Sequence, residues 1–217
     1  MKPLAVEGGA ASDVFLACVV VWVVFELALA IRAGEGIGSS WTVVPLTVSL
    51  GGAVALGQFA ARQAPGVALP GSGWWPVALG FVVFALGLAL RASAVHELGR
   101  FFTFTVVVQA DHRVVDTGPY RLVRHPSYTG LLMVELGLGI ELGTWLSIAS
   151  CLLPPVIAVA LRVHHEEKVL IRELGERYRA YMGRTHRLVP GVWGVRPLSR
   201  PCSSRTIRGP RPRRRRA

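Results

Sequence analysis

Long apolar runs separated by short connectors dominate the first half of the chain. Three of them cover residues 14–31, 41–61 and 74–90. Each comes close to the roughly 20 residues that a helix needs to cross the hydrocarbon core of a membrane. Tryptophans stand at the ends of these runs, where a membrane interface favours them: Trp41, Trp74 and Trp75. The pattern predicts three transmembrane helices, the first of them retained as an anchor and not cleaved as a signal peptide.

A fourth apolar run, residues 131–161, is too long for one straight crossing. Gly143-Thr144 interrupts it near the middle, which predicts a helical hairpin of residues 127–142 and 145–165. Apolar residues then recur at helical spacing between His164 and Met182, which predicts an amphipathic helix that ends at Gly183. The expected fold is therefore an all-α polytopic integral membrane protein. It has about five transmembrane helices, a C-terminal helical hairpin and a cytosolic amphipathic helix.

Composition supports a membrane protein, because 52% of the residues are hydrophobic and 17% are charged, against about 25% charged in soluble domains. The net charge of +11 is concentrated at the C-terminus, since residues 196–217 hold nine arginines and no acid. Such a tail cannot bury a core, so we expect it to be disordered and drawn to anionic lipid. No folded basic face accompanies it, and nucleic acid is not expected as a partner.

Three regions follow from these patterns. Residues 1–91 form the N-terminal transmembrane helices, 92–195 form the region that carries chemistry, and 196–217 form the basic tail. Arginines on both sides of the hairpin predict a cytoplasmic site and C-terminus. Only Lys2 and Lys168 are lysines, which suggests a GC-rich genome and hence a bacterial inner membrane. The three cysteines form no CxxC pair, so a zinc site or disulfide framework is not indicated.

Two polar clusters flank the hairpin. The first reads GPYRLVRHPSYTG from Gly118, and the second reads RVHHEEKVLIRELGERYRAYMGRTHRLVPG from Arg162. A hairpin returns the chain to the membrane face that it left, so both clusters are expected to meet there. Their meeting builds a polar pocket without exposing backbone groups to lipid.

Together these two stretches resemble the isoprenylcysteine carboxyl methyltransferase family, which belongs to a wider set of membrane methyltransferases that includes phospholipid methyltransferases. The resemblance covers about residues 105–193. It implies S-adenosyl-L-methionine bound at the cytosolic side of the hairpin. The cofactor contacts that it implies are Gln109, His112, Arg113, Val114, Val115, Tyr120, His125, Pro126, Ser127, Tyr128 and Glu166. It also implies that Arg162 contacts the methyl acceptor.

The chemistry of these side chains agrees with those roles. A carboxylate is already ionised at neutral pH, so its methylation needs placement and removal of water more than a general base. Arg162 suits that task, because a guanidinium grips a carboxylate in a bidentate manner. Glu166 lies four residues later on the same helix face and balances positive charge on the cofactor. Tyr120 and Tyr128 offer ring faces to the sulfonium or the adenine. We therefore assign Arg162 and Glu166 as catalytic residues.

Structural readings compete with these assignments. Arg162 and Glu166 can form a simple ion pair at a helix end, and the Tyr178 and Tyr181 rings suit packing better than catalysis. The adjacent pairs His164-His165 and Glu166-Glu167 point to different faces and make a poor chelate, so no metal is expected.

Three acids, Glu26, Glu135 and Glu141, lie in apolar runs, where an ionisable residue is a functional candidate. Glu135 is the best placed of them to line the path of an acceptor, and we predict it to bind substrate. Glu141 is expected near the wet tip of the hairpin, and the sequence gives Glu26 no place.

The sequence thus predicts a membrane-embedded S-adenosylmethionine-dependent methyltransferase. Its first-choice reaction is carboxyl O-methylation of an amphipathic isoprenoid or lipid-like acceptor. A phospholipid or amine methyltransferase is the nearest alternative. A nicotinamide-dependent membrane reductase of related architecture is another, although no GxGxxG motif favours it, and a non-enzymatic membrane protein is the last. The acceptor and the oligomeric state stay open.

Overall fold

A computed structural model of the protein describes residues 9–33, 43–71, 73–99, 102 and 114–191. Within these ranges the regular secondary structure is helical, with two isolated bridges and no extended strand. The α-helices are α1 (Ala10–Ala33), α2 (Val43–Gln63), α3 (Trp75–Leu98), α4 (Pro126–Glu141), α5 (Trp145–Leu174) and α6 (Glu176–Met182). Short 3-10 turns occupy Pro65–Val67 and Gly118–Arg121. The predicted disordered tail, residues 196–217, lies outside the described residues.

A helix occupies each of the five apolar segments that the sequence predicts to be helical. Three of these helices, α1, α3 and α5, are long and apolar enough to cross a membrane. The all-helical membrane architecture is confirmed to that extent, whereas the count of five spans stays a prediction. Large apolar side chains such as Leu16, Val20, Phe81 and Ile157 are exposed on the outer helix faces, which is the surface that a bilayer covers.

The hairpin between α4 and α5 turns where the sequence predicts. Gly143 has φ of 73°, a conformation that only glycine adopts at little cost. Thr144 then caps α5, because its hydroxyl accepts from the Ser147 backbone N–H at 2.9 Å while the Ser147 hydroxyl bonds back to Thr144. The Leu69 N–H also donates to the Gly143 carbonyl at 2.9 Å, which ties the connection after α2 to this turn.

Glycines allow α3 and α4 to pack backbone against backbone in antiparallel fashion. A Cβ added to Gly137 would lie 2.6 Å from the Phe84 backbone nitrogen and 2.7 Å from the Gly80 carbonyl oxygen. At the other end of the contact, Gly87 and Gly130 face one another in the same way. Such close approach is how helices associate in lipid, where no hydrophobic force drives them together. This close contact was not predicted from the sequence.

The amphipathic segment differs from its prediction. Residues 164–174 continue α5 without interruption, so that one helix of 30 residues runs from the hairpin turn to Leu174. The break comes at Gly175, which has φ of 56° and ends α5, and α6 follows as a separate short helix. The single helix over residues 164–182 was therefore wrong, because the left-handed Gly175 divides it. Its end at Met182, before Gly183, is confirmed.

Candidate active site

The chain before α4 pairs with the segment that follows α6. The Arg124 N–H donates to the His186 carbonyl at 2.8 Å, and the His186 N–H donates to the Leu122 carbonyl at 3.0 Å. Further on, the Thr129 hydroxyl donates to the Leu188 carbonyl at 2.8 Å. Pro126 then opens α4 at a position where a missing N–H costs nothing. This pairing holds the start of α4 against the C-terminal polar cluster.

Tyr128 lies between the two predicted catalytic residues. Its hydroxyl donates to Glu166 Oε2 at 3.1 Å and accepts from Arg162 Nε, also at 3.1 Å. Arg162 is buried, while Tyr128 and Glu166 are half-buried. The structure therefore brings residues 125–128, the HPSY stretch, into direct contact with residues 162–167, the Arg/Glu stretch, at one end of the hairpin. The roles that the sequence assigns to these three residues stay predictions.

Glu167 forms the most densely bonded buried charge cluster among the described residues. It accepts from Arg124 Nε at 3.0 Å and Arg187 Nη2 at 2.5 Å, and its Oε1 lies 3.4 Å from His125 Nε2. Arg124 also donates to the carbonyls of Met182 and Thr185. Because a buried charge needs partners, Glu167 fastens the C-terminal segment to the start of α4. The sequence did not reveal this role, although Arg124 and Arg187 in the two polar stretches, together with the acid Glu167, were a usable signal.

Arg91 of α3 anchors the site from a different side. Its Nε and Nη2 donate to the two carboxylate oxygens of Glu26 at 2.6 and 2.7 Å. Its Nη1 donates to the Ser127 hydroxyl at 2.7 Å and to the Ser127 carbonyl at 3.3 Å. Glu26, which the sequence could not place, is thereby a partner of a buried arginine that contacts the HPSY stretch.

The tyrosines around this site have structural contacts. Tyr178 and Tyr181 are buried with ring centroids 5.9 Å apart, and the Tyr181 hydroxyl donates to the Tyr120 carbonyl at 2.8 Å. Burial raises the pKa of Tyr120 and of Tyr178 well above the ordinary value. The carboxylate of Glu166 adds to the effect at Tyr120, and those of Glu167 and Glu166 add to it at Tyr178. Both hydroxyls therefore stay neutral at physiological pH. These contacts agree with packing as the role of the Tyr178 and Tyr181 pair.

The remaining predicted cofactor contacts divide into three groups. Val114 and Val115 are half-buried in the segment before the Gly118–Arg121 turn. His125 and Ser127 already bond to Glu167 and Arg91 through their side chains. The others, Gln109, His112 and Arg113, lie outside the described residues. All of these residues stay predicted cofactor contacts.

The two acids of α4 are fully enclosed. Both carboxylate oxygens of Glu135 lack a hydrogen-bond partner, and Glu141 accepts one bond, at 3.4 Å from the Cys18 thiol. The expectation that Glu141 is wet at the hairpin tip was wrong, because Glu141 is 1% exposed. A Cβ on Gly80 would lie 2.5 Å from the Glu141 Cγ, so α3 packs directly against this side chain. In the described ranges, no group of three or more His, Cys, Asp or Glu side chains suits a metal ion.

Comparisons with known proteins agree with this geometry. The model of the isoprenylcysteine carboxyl methyltransferase family matches residues 78–172, which include most of α3, all of α4, the hairpin turn and almost all of α5. This stretch, which is less than half of the chain, is similar to the isoprenylcysteine carboxyl methyltransferase family. A similar protein, protein-S-isoprenylcysteine O-methyltransferase B of Arabidopsis thaliana, is 31% identical over 121 residues, which are 55% of this chain and 61% of that protein.

The protein-S-isoprenylcysteine O-methyltransferase of Schizosaccharomyces pombe is 36% identical over 106 residues, 48% of this chain and 44% of its own length. The chain therefore aligns with less than two thirds of these family members. A solved structure of the eukaryotic intramembrane Ras methyltransferase of this family superposes with a TM-score of 0.66 at 23% identity, covering 85% of this chain and 69% of that one. That likeness extends the shared membrane fold beyond the region that the family model matches.

Proposed function

We propose that the protein is a membrane-embedded methyltransferase that uses S-adenosyl-L-methionine to methylate a carboxylate on an isoprenoid or lipid-like acceptor. The observation that carries the proposal is the Tyr128 hydroxyl, bonded at 3.1 Å to both Arg162 and Glu166. This arrangement places a guanidinium and a carboxylate side by side at the polar end of an apolar hairpin. A carboxylate acceptor and a cationic methyl donor require that pair of opposite charges.

The described donor set fits S-adenosyl-L-methionine. Glu166 is half-buried, so its carboxylate can meet an ammonium or sulfonium charge, and Tyr128 beside it supplies an aromatic face. When bound, the cofactor supplies a methyl group on a sulfonium that is open to attack by an oxygen nucleophile. Glu166 and Tyr128 hold that charge, and the walls of the site keep water from competing with the acceptor.

Arg162 is proposed to hold the acceptor. It projects from α5, where the apolar outer face of the helix gives way to polar residues, so an acceptor with an apolar tail reaches it from the bilayer. The guanidinium binds the acceptor carboxylate and fixes one oxygen for in-line attack. Glu135, buried one helix away in α4 with no described partner, is proposed to line the path of the acceptor.

Labelled methyl transfer tests the reaction. Purified protein in nanodiscs is given methyl-labelled S-adenosylmethionine with one of three acceptors: an S-farnesylated cysteine with a free carboxylate, a fatty acid, or phosphatidylethanolamine. Label that is released as methanol by mild base identifies a methyl ester. Label in the lipid amine identifies the phospholipid alternative, and cofactor binding without transfer to any acceptor contradicts the proposed acceptor class. Hydride transfer from a nicotinamide cofactor, with no binding of S-adenosylmethionine, indicates the reductase.

Orientation is a separate part of the proposal. The arginine-rich connections predict that the site and the C-terminus face the cytoplasm, and a bacterial inner membrane remains a prediction because the relatives described above are eukaryotic. Cys202 is a native reporter, since Cys18 and Cys151 are buried. We expect a membrane-impermeant maleimide to label Cys202 only after the cells are opened. Labelling of intact cells that is absent from a Cys202→Ser control would show that the C-terminus faces the outside, against the proposal.

A further inference from the structure

Glu26 of α1 binds Arg91, and Arg91 in turn binds Ser127 of the HPSY stretch. All three guanidinium nitrogens of Arg91 are engaged, two by the carboxylate of Glu26 and the third by Ser127. Arg91 is 4% exposed, so burial of its charge requires those partners. Glu26 lies in α1, outside residues 78–172 that the family model matches.

We infer that Glu26 is a positioning residue, which acts through Arg91 to fix Ser127 and the adjoining Tyr128 in the geometry that binds the cofactor; the inference rests on the proposed function. The two-oxygen contact with Glu26 fixes the plane of the guanidinium. Fixing that plane directs Nη1 at Ser127, at 2.7 Å from the hydroxyl. Without the carboxylate, the long arginine side chain regains its rotamer freedom and Ser127 loses a fixed donor.

The close glycine packing of α3 against α4 brings this contact within reach. A Cβ on Gly130 would lie 2.8 Å from the Arg91 backbone nitrogen and 3.0 Å from the Arg91 Cβ. Arg91 therefore contacts the first turn of α4, where Ser127 and Tyr128 are adjacent. A shift of Arg91 is transmitted directly to the residue before Tyr128, and thus to its contacts with Arg162 and Glu166.

A double-mutant cycle on cofactor binding tests the inference. Affinity for S-adenosylmethionine is measured by calorimetry in nanodiscs for Glu26→Gln, Ser127→Ala and the double variant. We expect each single change to weaken binding by about 3- to 30-fold. The double variant should be little worse than either single variant, because both changes remove the same restraint. Effects that multiply would show that Glu26 and Ser127 act independently, which overturns the inference.

Two further variants separate positioning from a purely structural role. Arg91→Lys keeps the cation beside Glu26 but lacks the planar fork that reaches Ser127 as well, so it should lose affinity with a nearly unchanged unfolding temperature. Glu141→Gln is the matched control, since Glu141 also links α1 to α4, through Cys18, but away from Ser127. It should leave affinity unchanged.

A readout that needs no cofactor completes the test. Amide hydrogen exchange over residues 126–131 should accelerate in Glu26→Gln and Arg91→Lys but not in Glu141→Gln. Normal exchange and normal affinity in the first two variants would overturn the inference and leave the proposed function intact. Failure of the wild-type protein to bind S-adenosylmethionine would overturn the proposed function, and this inference with it.

Discussion

Replacing Gly137 with alanine probes the backbone contact between α3 and α4. The new Cβ would lie 2.6 Å from the Phe84 nitrogen and 2.7 Å from the Gly80 oxygen, where ordinary contact begins at 3.4 Å. Both neighbours are main-chain atoms of a helix, so neither can rotate away as a side chain would. We expect the two helices to separate by several tenths of an ångström.

The size of the effect follows from two opposing terms. Overpacking of a tight core contact costs about 1–3 kcal/mol, whereas exchanging glycine for alanine in a helix gains about 1 kcal/mol. Gly51 in α2 isolates the second term, because a Cβ there meets no atom within 4 Å. The free energy of unfolding of Gly137→Ala should therefore lie about 1–3 kcal/mol below that of Gly51→Ala.

Thermal unfolding in one detergent, followed by tryptophan fluorescence, measures this difference. For a chain of this size, each 1 kcal/mol shifts Tm by about 2–4 °C, so Gly137→Ala should melt about 2–12 °C below Gly51→Ala. Equal Tm values for the two variants would refute the close packing of α3 on α4. An increase in Tm for both would show that helix propensity alone decides the outcome.

Three further predictions concern charged and polar groups. Tyr128→Phe removes the hydroxyl between Arg162 and Glu166 and should weaken cofactor binding by roughly tenfold in calorimetry, and unchanged affinity would exclude it from the site. Glu167→Gln leaves two arginines without their carboxylate and should lower stability by about 3–5 kcal/mol in thermal unfolding; a loss no larger than that of Glu166→Gln would contradict this. Glu135→Leu removes an unpartnered carboxyl, so Tm should rise. Its methyl transfer should fall with cofactor affinity retained, and unchanged transfer would exclude Glu135 from the acceptor path.

Local signals in the sequence were sufficient for the hairpin and for the meeting of the two polar clusters. Gly143-Thr144 interrupts an apolar run that is too long for one crossing, which predicts a hairpin. Because a hairpin returns the chain to the membrane face that it left, the two flanking clusters must lie at the same face. The contact of Tyr128 with Arg162 and Glu166 agrees with that geometry. The end of α6 before Gly183 was likewise a local matter of helix termination.

Contacts between distant segments could not be predicted from the sequence. Glu26 lies 65 residues from Arg91, and nothing in either apolar run specifies which helices become neighbours. The sequence places Glu166 and Glu167 on different helix faces, but it does not specify their partners, which include Tyr128 for Glu166 and Arg124 for Glu167. Gly175 was taken as part of a helix, because its left-handed backbone leaves no mark in the pattern of apolar positions.

The uninterrupted course of α5 ties the chemistry to membrane thickness. Arg162 lies 17 residues beyond Trp145, which at a rise of about 1.5 Å per residue is about 26 Å along the axis. That length is close to the roughly 30 Å of a typical hydrocarbon core. Where α5 crosses the bilayer along its normal, this length places the guanidinium near the depth of lipid ester groups, and an acceptor can then present its head group without withdrawing its tail. Lipids with shorter or longer acyl chains should change the turnover of a given acceptor, because they move its head group relative to Arg162 on α5.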